Sequence, residues 1–390
     1  MTNHICPICN FEDIDIFIEI SQIPIYCNIL YKSREEALNA NLADMKLGFC
    51  SQCGHVFNYA FDPELLDYTL DYENSLHFSP RFQAYADSLA ARLVKRYQLT
   101  NKDIIEIGCG DGDFLEMLGR DGKNRCYGFD PSHVPDLDKT GEDKGITFIR
   151  DYYSEKYSNY KADLICCRHV LEHIQRPCEF LETVRAAIGK RTETVIFFEV
   201  PNALYTLKDL GIWDLIYEHC SYFSPHSLHM AFERSGFDPQ HASVEFEGQF
   251  ITIEAIPASG HADEMNGDGL EGLDAYVDEF EISYTSKIHS WREKLNEWKR
   301  IGRTAALWGA GSKGAMFLNN FKQDDQIQCI VDINPRKQGR FVAGTGHEIV
   351  APKDLPTHDP DKIIIMNSIY KEEIRRTVQG MGLKAELELV

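Results

Sequence analysis

The sequence predicts an α/β protein whose central part is a doubly wound parallel sheet. First, a buried strand runs directly into a glycine-rich turn and a helix at two places, after Ile104–Ile107 and after Ala306–Trp308. This succession of strand, turn and helix opens a nucleotide-binding crevice. Second, short apolar strands alternate with helical patterns between these two places. A length of 390 residues leaves room for two to three domains of about 150 residues.

Composition indicates an ordinary globular protein, with 43% hydrophobic and 26% charged residues. The net charge of −21 repels phosphate backbones, so we expect neither DNA nor RNA as a partner. No apolar run approaches the roughly 20 residues that a membrane span needs. The start of the chain lacks the basic and then apolar pattern of a secretory signal, which predicts a cytoplasmic location. There the 12 cysteines are expected to be thiols and metal ligands rather than disulfides.

Two C-x-x-C pairs open the chain, Cys6 with Cys9 and Cys50 with Cys53. Each pair is a tight turn that directs two sulfurs to one centre, and two such turns supply the four thiolates of a tetrahedral zinc site. A complete set of four ligands predicts a structural zinc rather than a catalytic one. The alternative is a group of buried cysteines without metal. A redox pair is disfavoured, because no βαβ pattern surrounds either turn.

The elements of the central domain follow from their patterns. Apolar residues at helical spacing predict a helix over residues 78–96, before the strand Ile104–Ile107. Further strands are predicted at residues 126–130, 146–149, 163–167 and 194–200. Leu228, Phe232 and Phe237 predict a helix, and a hairpin that turns at Gly248 closes the sheet.

Acidic residues distinguish the first glycine turn from a dinucleotide-binding turn. A pyrophosphate site has no negative charge against the anion, whereas this turn contains Glu106, Asp111 and Asp113. Carboxylates suit a ligand with an ammonium and a sulfonium group, both of which S-adenosylmethionine has. Asp130 ends the next strand, at about the distance along the chain where a carboxylate accepts both ribose hydroxyls.

The acidic turn resembles the first motif of class I S-adenosylmethionine-dependent methyltransferases, residues 128–132 resemble their second motif, and residues 168–174 their fourth. The resemblance implies a Rossmann-like sheet and a set of cofactor-binding residues: Glu106, Gly108, Gly110, Asp130, Asp151, Arg168 and His169. Asp130 would hold the ribose, Asp151 the adenine amino group and Glu106 the methionyl end. The alternative for the fourth motif is a helix start whose polar side chains line the crevice wall.

The segment from Ile216 to Ser224 follows the carboxyl end of a central strand, where open α/β sheets place reacting groups. His219 next to Glu218, with Tyr217 and Tyr222 close by, suits proton abstraction beside a carbonyl. In this interpretation His219 is the general base and a tyrosine hydroxyl stabilises the enolate oxygen. The alternative is a capped turn in which the histidine is structural.

The carboxyl-terminal part begins with a predicted linker over residues 257–272 and a long amphipathic helix, whose aromatic stripe we expect to be a packing face. The turn that follows, at residues 309–314, contains no acid, and Asp332 ends the next strand. That pattern alone is typical of an NAD site. There are two alternatives. The helix start binds phosphate groups through its backbone amides and Lys313, or the turn is purely structural.

All of these features in this order resemble the sugar C-methyltransferases, which act on nucleotide-linked keto-deoxysugars. The resemblance implies a zinc-binding domain at 1–70, a methyltransferase domain at 71–258 and a smaller Rossmann-like domain at 270–390. It implies that Gly311 and Lys313 contact the nucleotide diphosphate. It also implies that Glu218 and His219 abstract a proton with the help of Tyr72.

One position departs from the family. Sugar C-methyltransferases commonly have tyrosine-histidine-glutamate-histidine here, whereas this chain has Ile216, Tyr217, Glu218 and His219. Tyr217 or Tyr222 could replace the missing enolate-stabilising donor. The expected function is C-methylation of a nucleotide-linked keto-deoxysugar. The alternatives are O-methylation of a hydroxyl, a non-catalytic cofactor-binding scaffold and an NAD-dependent oxidoreductase. The sequence does not indicate the oligomeric state.

Overall fold

The computed structural model describes residues 5–66, 72–120, 123–133, 145–259 and 272–390. The strands are β1 (Asp15–Pro24), β2 (Leu42–Cys50), β3 (His55–Asn58), β4 (Asp103–Ile107), β5 (Arg125–Phe129), β6 (Ile146–Ile149), β7 (Leu164–Arg168), β8 (Val195–Pro201), β9 (Ser221–Tyr222), β10 (Phe237–Glu245), β11 (Phe250–Pro257), β12 (Ala305–Trp308), β13 (Ile327–Val331), β14 (Ile349–Val350), β15 (Lys362–Ile365) and β16 (Glu386–Leu389). The helices are α1 (Arg34–Leu38), α2 (Pro80–Arg96), α3 (Asp113–Gly119), α4 (Pro177–Ile188), α5 (Ala203–Leu207), α6 (Pro225–Arg234), α7 (Leu273–Arg300), α8 (Ser312–Asn320) and α9 (Lys371–Gly380).

The central sheet has seven strands in the order β10-β11-β8-β7-β4-β5-β6. The strands from β4 to β8 pair in parallel, whereas β11 pairs antiparallel with both β8 and β10. Every residue of β4 is buried, as in a parallel strand covered on both faces. The chain order reverses beside β4, so the first glycine turn lies at the switch point where open sheets bind ligands. The predicted class I methyltransferase sheet is confirmed.

One predicted boundary in this sheet is wrong. Phe237 was expected to belong to the helix with Leu228 and Phe232, but α6 ends at Arg234 and Phe237 begins β10. The physical reason is Gly236, whose φ of +81° ends the helix in a left-handed conformation.

A second sheet joins distant parts of the chain, in the order β1-β2-β3-β9. β3 lies immediately after the second cysteine pair, and it pairs antiparallel with β9, which lies just after His219. The strand pair Val56–Tyr222 and Phe57–Ser221 therefore connects the amino-terminal segment directly to the insert of the central domain. The predicted zinc-binding segment thus supplies three of the four strands of this sheet.

The carboxyl-terminal sheet has five parallel strands in the order β14-β13-β12-β15-β16. The aromatic side of α7 packs into the core, as expected: the ring of Phe280 lies 5.7 Å from that of Phe17 on β1, and the ring of Trp291 lies 5.0 Å from that of Phe317 on α8. This core joins the amino-terminal sheet to the carboxyl-terminal one. Most of the predicted linker, at residues 260–271, lies outside the described residues. In the described part of the chain, no helix combines the length and apolarity needed to cross a membrane.

Candidate active site

The first glycine turn forms an open cradle at the end of β4. Gly108 has a φ of +70°, and a Cβ there would meet Val170 Cγ2 at 2.2 Å. Gly110 has a φ of +51°, and a Cβ there would meet no atom within 4 Å. The first position therefore needs glycine for packing, whereas the second leaves free space above the backbone. This space fits a ligand that approaches the turn closely, such as the expected adenosyl cofactor.

Glu106 lies at the base of this cradle and is 3% exposed. Its Oε2 atom has no hydrogen-bond partner among the described residues. Burial raises the pKa of Glu106 to about 8, although the nearby Arg168 guanidinium opposes the shift. A buried carboxyl with a free oxygen fits the ammonium group of a bound S-adenosylmethionine, which would favour its ionised form.

Asp130 and Asp151 lie at the ends of β5 and β6, on the same edge of the sheet as the turn. Asp130 accepts hydrogen bonds from the Gly110 amide at 2.9 Å and from the Ser132 amide at 2.8 Å. It therefore fixes the cradle directly. Asp151 pairs with the Lys156 ammonium and accepts a hydrogen bond from the Tyr157 hydroxyl at 2.6 Å, and these contacts lower its pKa.

Arg168 and His169 are part of a buried ionic network. The Arg168 guanidinium donates to Glu199 at 2.8 Å, and the imidazole of His169 lies 3.0 Å from the same carboxylate. Burial would raise the pKa of Glu199, but Arg168 and His169 lower it to about 2. Burial conversely lowers the pKa of His169, but Glu172 and Glu199 raise it to about 9. These partners place Arg168 and His169 in the crevice wall, and their role as cofactor contacts stays a prediction.

The insert places His219 beside the fully buried Glu218. The Glu218 carboxylate accepts a hydrogen bond from the Cys27 amide at 2.9 Å and another from the Tyr72 hydroxyl. The partly exposed imidazole of His219 lies against His173, with ring centroids 4.8 Å apart and planes at 80°. His173 is itself fixed, since its Nδ1 lies 3.1 Å from the Glu218 carbonyl oxygen. The structure thus brings Tyr72, Glu218 and His219 together, and their catalytic roles stay a prediction.

Burial and two neighbouring histidines determine the charge of His219. Burial, His173 and His169 all lower its pKa well below 6.5. The imidazole is therefore neutral at physiological pH, which is the form that accepts a proton. The chemistry available to a neutral imidazole here is proton abstraction from a group that approaches it.

Tyr217 and Tyr222, the two candidate enolate-stabilising donors, are both buried and hydrogen-bonded to the backbone. The Tyr217 hydroxyl accepts a hydrogen bond from the Asp62 amide at 2.9 Å, and its ring stacks on Phe61. The Tyr222 hydroxyl donates to the Ile216 carbonyl oxygen and accepts from the Ile216 amide, both at 3.1 Å. These contacts favour a structural role for both phenols.

The four amino-terminal cysteines converge as predicted. Their Sγ atoms all lie within 4.8 Å of one another, and the Cys6–Cys53 and Cys9–Cys50 pairs are 3.4 Å apart. A tetrahedral zinc with Zn–S bonds of about 2.3 Å separates its sulfurs by about 3.8 Å. Every cysteine in the described residues is free of disulfide bonds. The donor set and its dimensions fit a structural zinc.

The carboxyl-terminal glycine turn resembles the first one in construction. Asp332, at the end of β13, accepts a hydrogen bond from the Ala310 amide at 2.7 Å, as Asp130 does from Gly110. Gly311 precedes α8, and a Cβ there would meet no atom within 4 Å. The ammonium of Lys313 contacts Asp214 at 3.1 Å and Gln249 at 2.8 Å.

Sequence reasoning missed one residue near the cofactor turn. Arg336, from the loop after β13, contacts both Asp111 in that turn and Glu73 beside Tyr72. The only sequence signal was the unpaired acid in the turn, because nothing in the spacing relates positions so far apart.

Comparison with known proteins agrees with this geometry. Residues 79–242 match the family described as "Methyltransferase domain", and residues 261–385 match the family described as "C-methyltransferase C-terminal domain". The chain is 25% identical over 391 residues to "C-methyltransferase NovU" of Streptomyces niveus, covering 95% of this chain and 90% of that protein. It is 29% identical over 115 residues to a "Ubiquinone biosynthesis O-methyltransferase" of Actinobacillus pleuropneumoniae serotype 7 (strain AP76), covering 27% of this chain and 47% of that protein.

Among solved structures, magnesium protoporphyrin IX methyltransferase from Synechocystis PCC 6803, with bound SAH, matches at a TM-score of 0.36 and 17% identity. The match covers 46% of this chain and 84% of that one.

Proposed function

We propose that this chain, an S-adenosylmethionine-dependent C-methyltransferase, methylates the carbon next to a ketone in a nucleotide-linked deoxysugar. The observation that supports this best is His219, a neutral, partly exposed imidazole next to a buried carboxylate that Tyr72 and Cys27 hold. The similarity to a C-methyltransferase over most of the chain supports carbon as the methylated atom.

When bound, S-adenosylmethionine supplies an electrophilic methyl group. The residues of this chain generate the nucleophile for it. His219 takes the proton from the carbon beside the carbonyl group, so the C–H bond breaks and its electron pair forms the enolate. With the cofactor bound, the enolate carbon would accept its methyl group as the S–CH₃ bond breaks, and His219 would then release its proton to solvent. General-base assistance of this kind contributes roughly 10²–10⁴ in rate.

Glu218 supports His219 by fixing the backbone of the insert. Its carboxylate is tied to the Cys27 amide and the Tyr72 hydroxyl, and its carbonyl oxygen contacts the His173 ring. Glu218, and with it the adjacent His219, is therefore fixed in place before a substrate arrives. This reduces the entropic cost of the reaction.

The sugar nucleotide is proposed to bind at the carboxyl-terminal turn. The amides at the start of α8 and the open space at Gly311 suit a phosphate group. Lys313 stands in the first turn of α8, where its ammonium could exchange the Asp214 carboxylate for a phosphate. The substrate would then extend from this turn toward His219.

The test is proton exchange without methyl transfer. The wild-type protein is incubated in deuterium oxide with S-adenosylhomocysteine and a panel of nucleoside-diphosphate-linked keto-deoxysugars. We expect deuterium to enter the substrate at the carbon beside the ketone, and the His219→Gln variant to lose this exchange. The exposed His289 serves as a matched control, and His289→Gln should exchange normally. No exchange here, together with methyl transfer to a hydroxyl once S-adenosylmethionine replaces S-adenosylhomocysteine, would instead indicate O-methylation.

A further inference from the structure

The loop after β13 extends from the carboxyl-terminal unit to the cofactor turn. The Nη1 atom of Arg336 contacts the carboxylate of Asp111, which lies between Gly110 and Gly112 of that turn. The same nitrogen lies 3.0 Å from Glu73 Oε2. Asn334, two residues earlier in the loop, donates to the other oxygen of Glu73 at 3.0 Å. One short loop therefore holds two acidic residues that come from separate parts of the chain.

The loop itself is rigidly built onto the second glycine turn. The two carboxylate oxygens of Asp332 accept hydrogen bonds from the Ala310 and Asn334 amides, at 2.7 and 2.8 Å. The buried Lys337 donates to the Ala310 carbonyl oxygen at 3.1 Å. Asn334 Oδ1 accepts a hydrogen bond from the Arg336 amide at 2.9 Å. The position of the Arg336 guanidinium is thus set by the fold of the carboxyl-terminal unit.

The other side of this contact reaches the proposed catalytic residues. Glu73 is 9% exposed, and it follows Tyr72, whose hydroxyl donates to Glu218. A third hydrogen bond, from the Ser75 amide at 3.0 Å, also fixes the Glu73 carboxylate. Without Arg336, a buried and a half-exposed carboxylate would face each other with no cation between them. Their repulsion would displace both the cofactor turn and the segment that holds Tyr72.

We infer that Arg336 is a positioning residue that fixes the cofactor turn from the carboxyl-terminal unit. The affinity for the adenosyl cofactor then depends on a residue that lies more than 200 positions after the cofactor turn in the sequence. The inference rests on cofactor binding and not on the proposed sugar substrate. The experiment that tests it therefore needs no sugar. The inference about Arg336 can be wrong while the proposed function remains correct.

The experiment is calorimetric titration of the full-length protein with S-adenosylhomocysteine. We expect Arg336→Ala to weaken binding about three- to tenfold, since a half-exposed but doubly paired guanidinium has a modest effect. Arg336→Lys should recover part of this loss, because it keeps the charge. Arg375 pairs with Glu372 on α9 at similar exposure, and Arg375→Ala is the matched control that should bind normally.

A double-mutant cycle separates positioning from a general loss of stability. If Arg336 acts through Asp111, then Asp111→Asn weakens binding as well, and the double variant is no weaker than the worse single one. Independent additive losses would overturn the inference, and so would Arg336→Ala affinity within twofold of wild type. If Arg336→Ala does not fold, Arg336→Lys and Asp111→Asn complete the same cycle with the same two outcomes.

Discussion

The hydroxyl of Tyr72 donates a hydrogen bond to the carboxylate of Glu218, so a residue that precedes α2 completes the site that the insert forms. Burial raises the pKa of Glu218, while His173, the Cys27 amide and Tyr72 counteract the shift. Tyr72 also forms a backbone bridge with Ile29, which fixes it against the amino-terminal segment. The carboxylate thus depends on donors from two other segments.

Replacing Tyr72 with phenylalanine tests this relationship. The variant keeps the ring but removes the donor, so the Glu218 carboxyl becomes harder to ionise and the insert loses a support. We expect kcat to fall about tenfold, as is typical for losing one hydrogen bond to a charged group, with S-adenosylhomocysteine affinity unchanged. Steady-state rates and a binding titration measure both quantities. An unchanged kcat would show that the Tyr72 hydroxyl has no part in catalysis.

Tyr217→Phe should affect folding rather than catalysis. The variant leaves the Asp62 amide without its acceptor, which costs about 1–2 kcal/mol of unfolding free energy. We expect kcat to stay within twofold of wild type, because the hydroxyl is turned to the backbone. Urea unfolding and turnover measurements on one preparation separate the two effects. A large fall in kcat with an unchanged free energy of unfolding would instead support Tyr217 as the enolate-stabilising donor.

Local patterns predicted the central fold well, because the strands of a parallel sheet are continuous apolar runs with sharp ends. The strand Ile146–Ile149 was predicted to the residue, and the cysteine pairs met as their spacing required. The pairing of β3 with β9 could not be predicted, since a two-residue strand has no periodicity of its own. The same holds for Arg336 and Asp111, whose contact exists only once the carboxyl-terminal unit packs against the central one.

That contact also changes the electrostatic argument for the cofactor. Three acids of the first turn were expected to attract a cationic ligand. In the structure Asp111 pairs with Arg336, and burial raises the pKa of Glu106 to about 8. The summed charge of the turn is therefore smaller than the three acids suggest, and Glu106 favours a cation only where that cation promotes its ionised form.

The pH dependence of kcat/KM should show that His219 acts as a neutral base. Its pKa is lowered well below 6.5, so the neutral imidazole predominates above that pH and is lost only as the pH falls through the lowered value. We expect the acidic limb of the profile to have its midpoint below 6.5. The positive charge of His169, whose pKa is raised to about 9, contributes to this shift. A midpoint at or above 6.5 would contradict a desolvated base.

Removing zinc should impair the catalytic insert as well as the amino-terminal segment. The second cysteine pair leads directly into β3, and β3 holds β9 just after His219. We expect chelation to lower the melting temperature and to reduce turnover in parallel, because metal binding contributes folding free energy to such small units. Elemental analysis should find about one zinc per chain before chelation, and added zinc should restore both quantities. Loss of metal with unchanged turnover would show that the sheet holds without it.

Gly110→Ala should weaken cofactor binding strongly in a protein that still folds. A Cβ at this position meets no protein atom within 4 Å, so it enters the space that the cofactor is expected to fill. Gly382, after α9, provides the matched control, since it also has a positive φ and open space around a Cβ. Each alanine should cost roughly 1 kcal/mol of stability through its left-handed backbone. Only Gly110→Ala should weaken S-adenosylhomocysteine binding, by tenfold or more on steric grounds. Equal affinity in both variants would place the adenosyl group away from this turn.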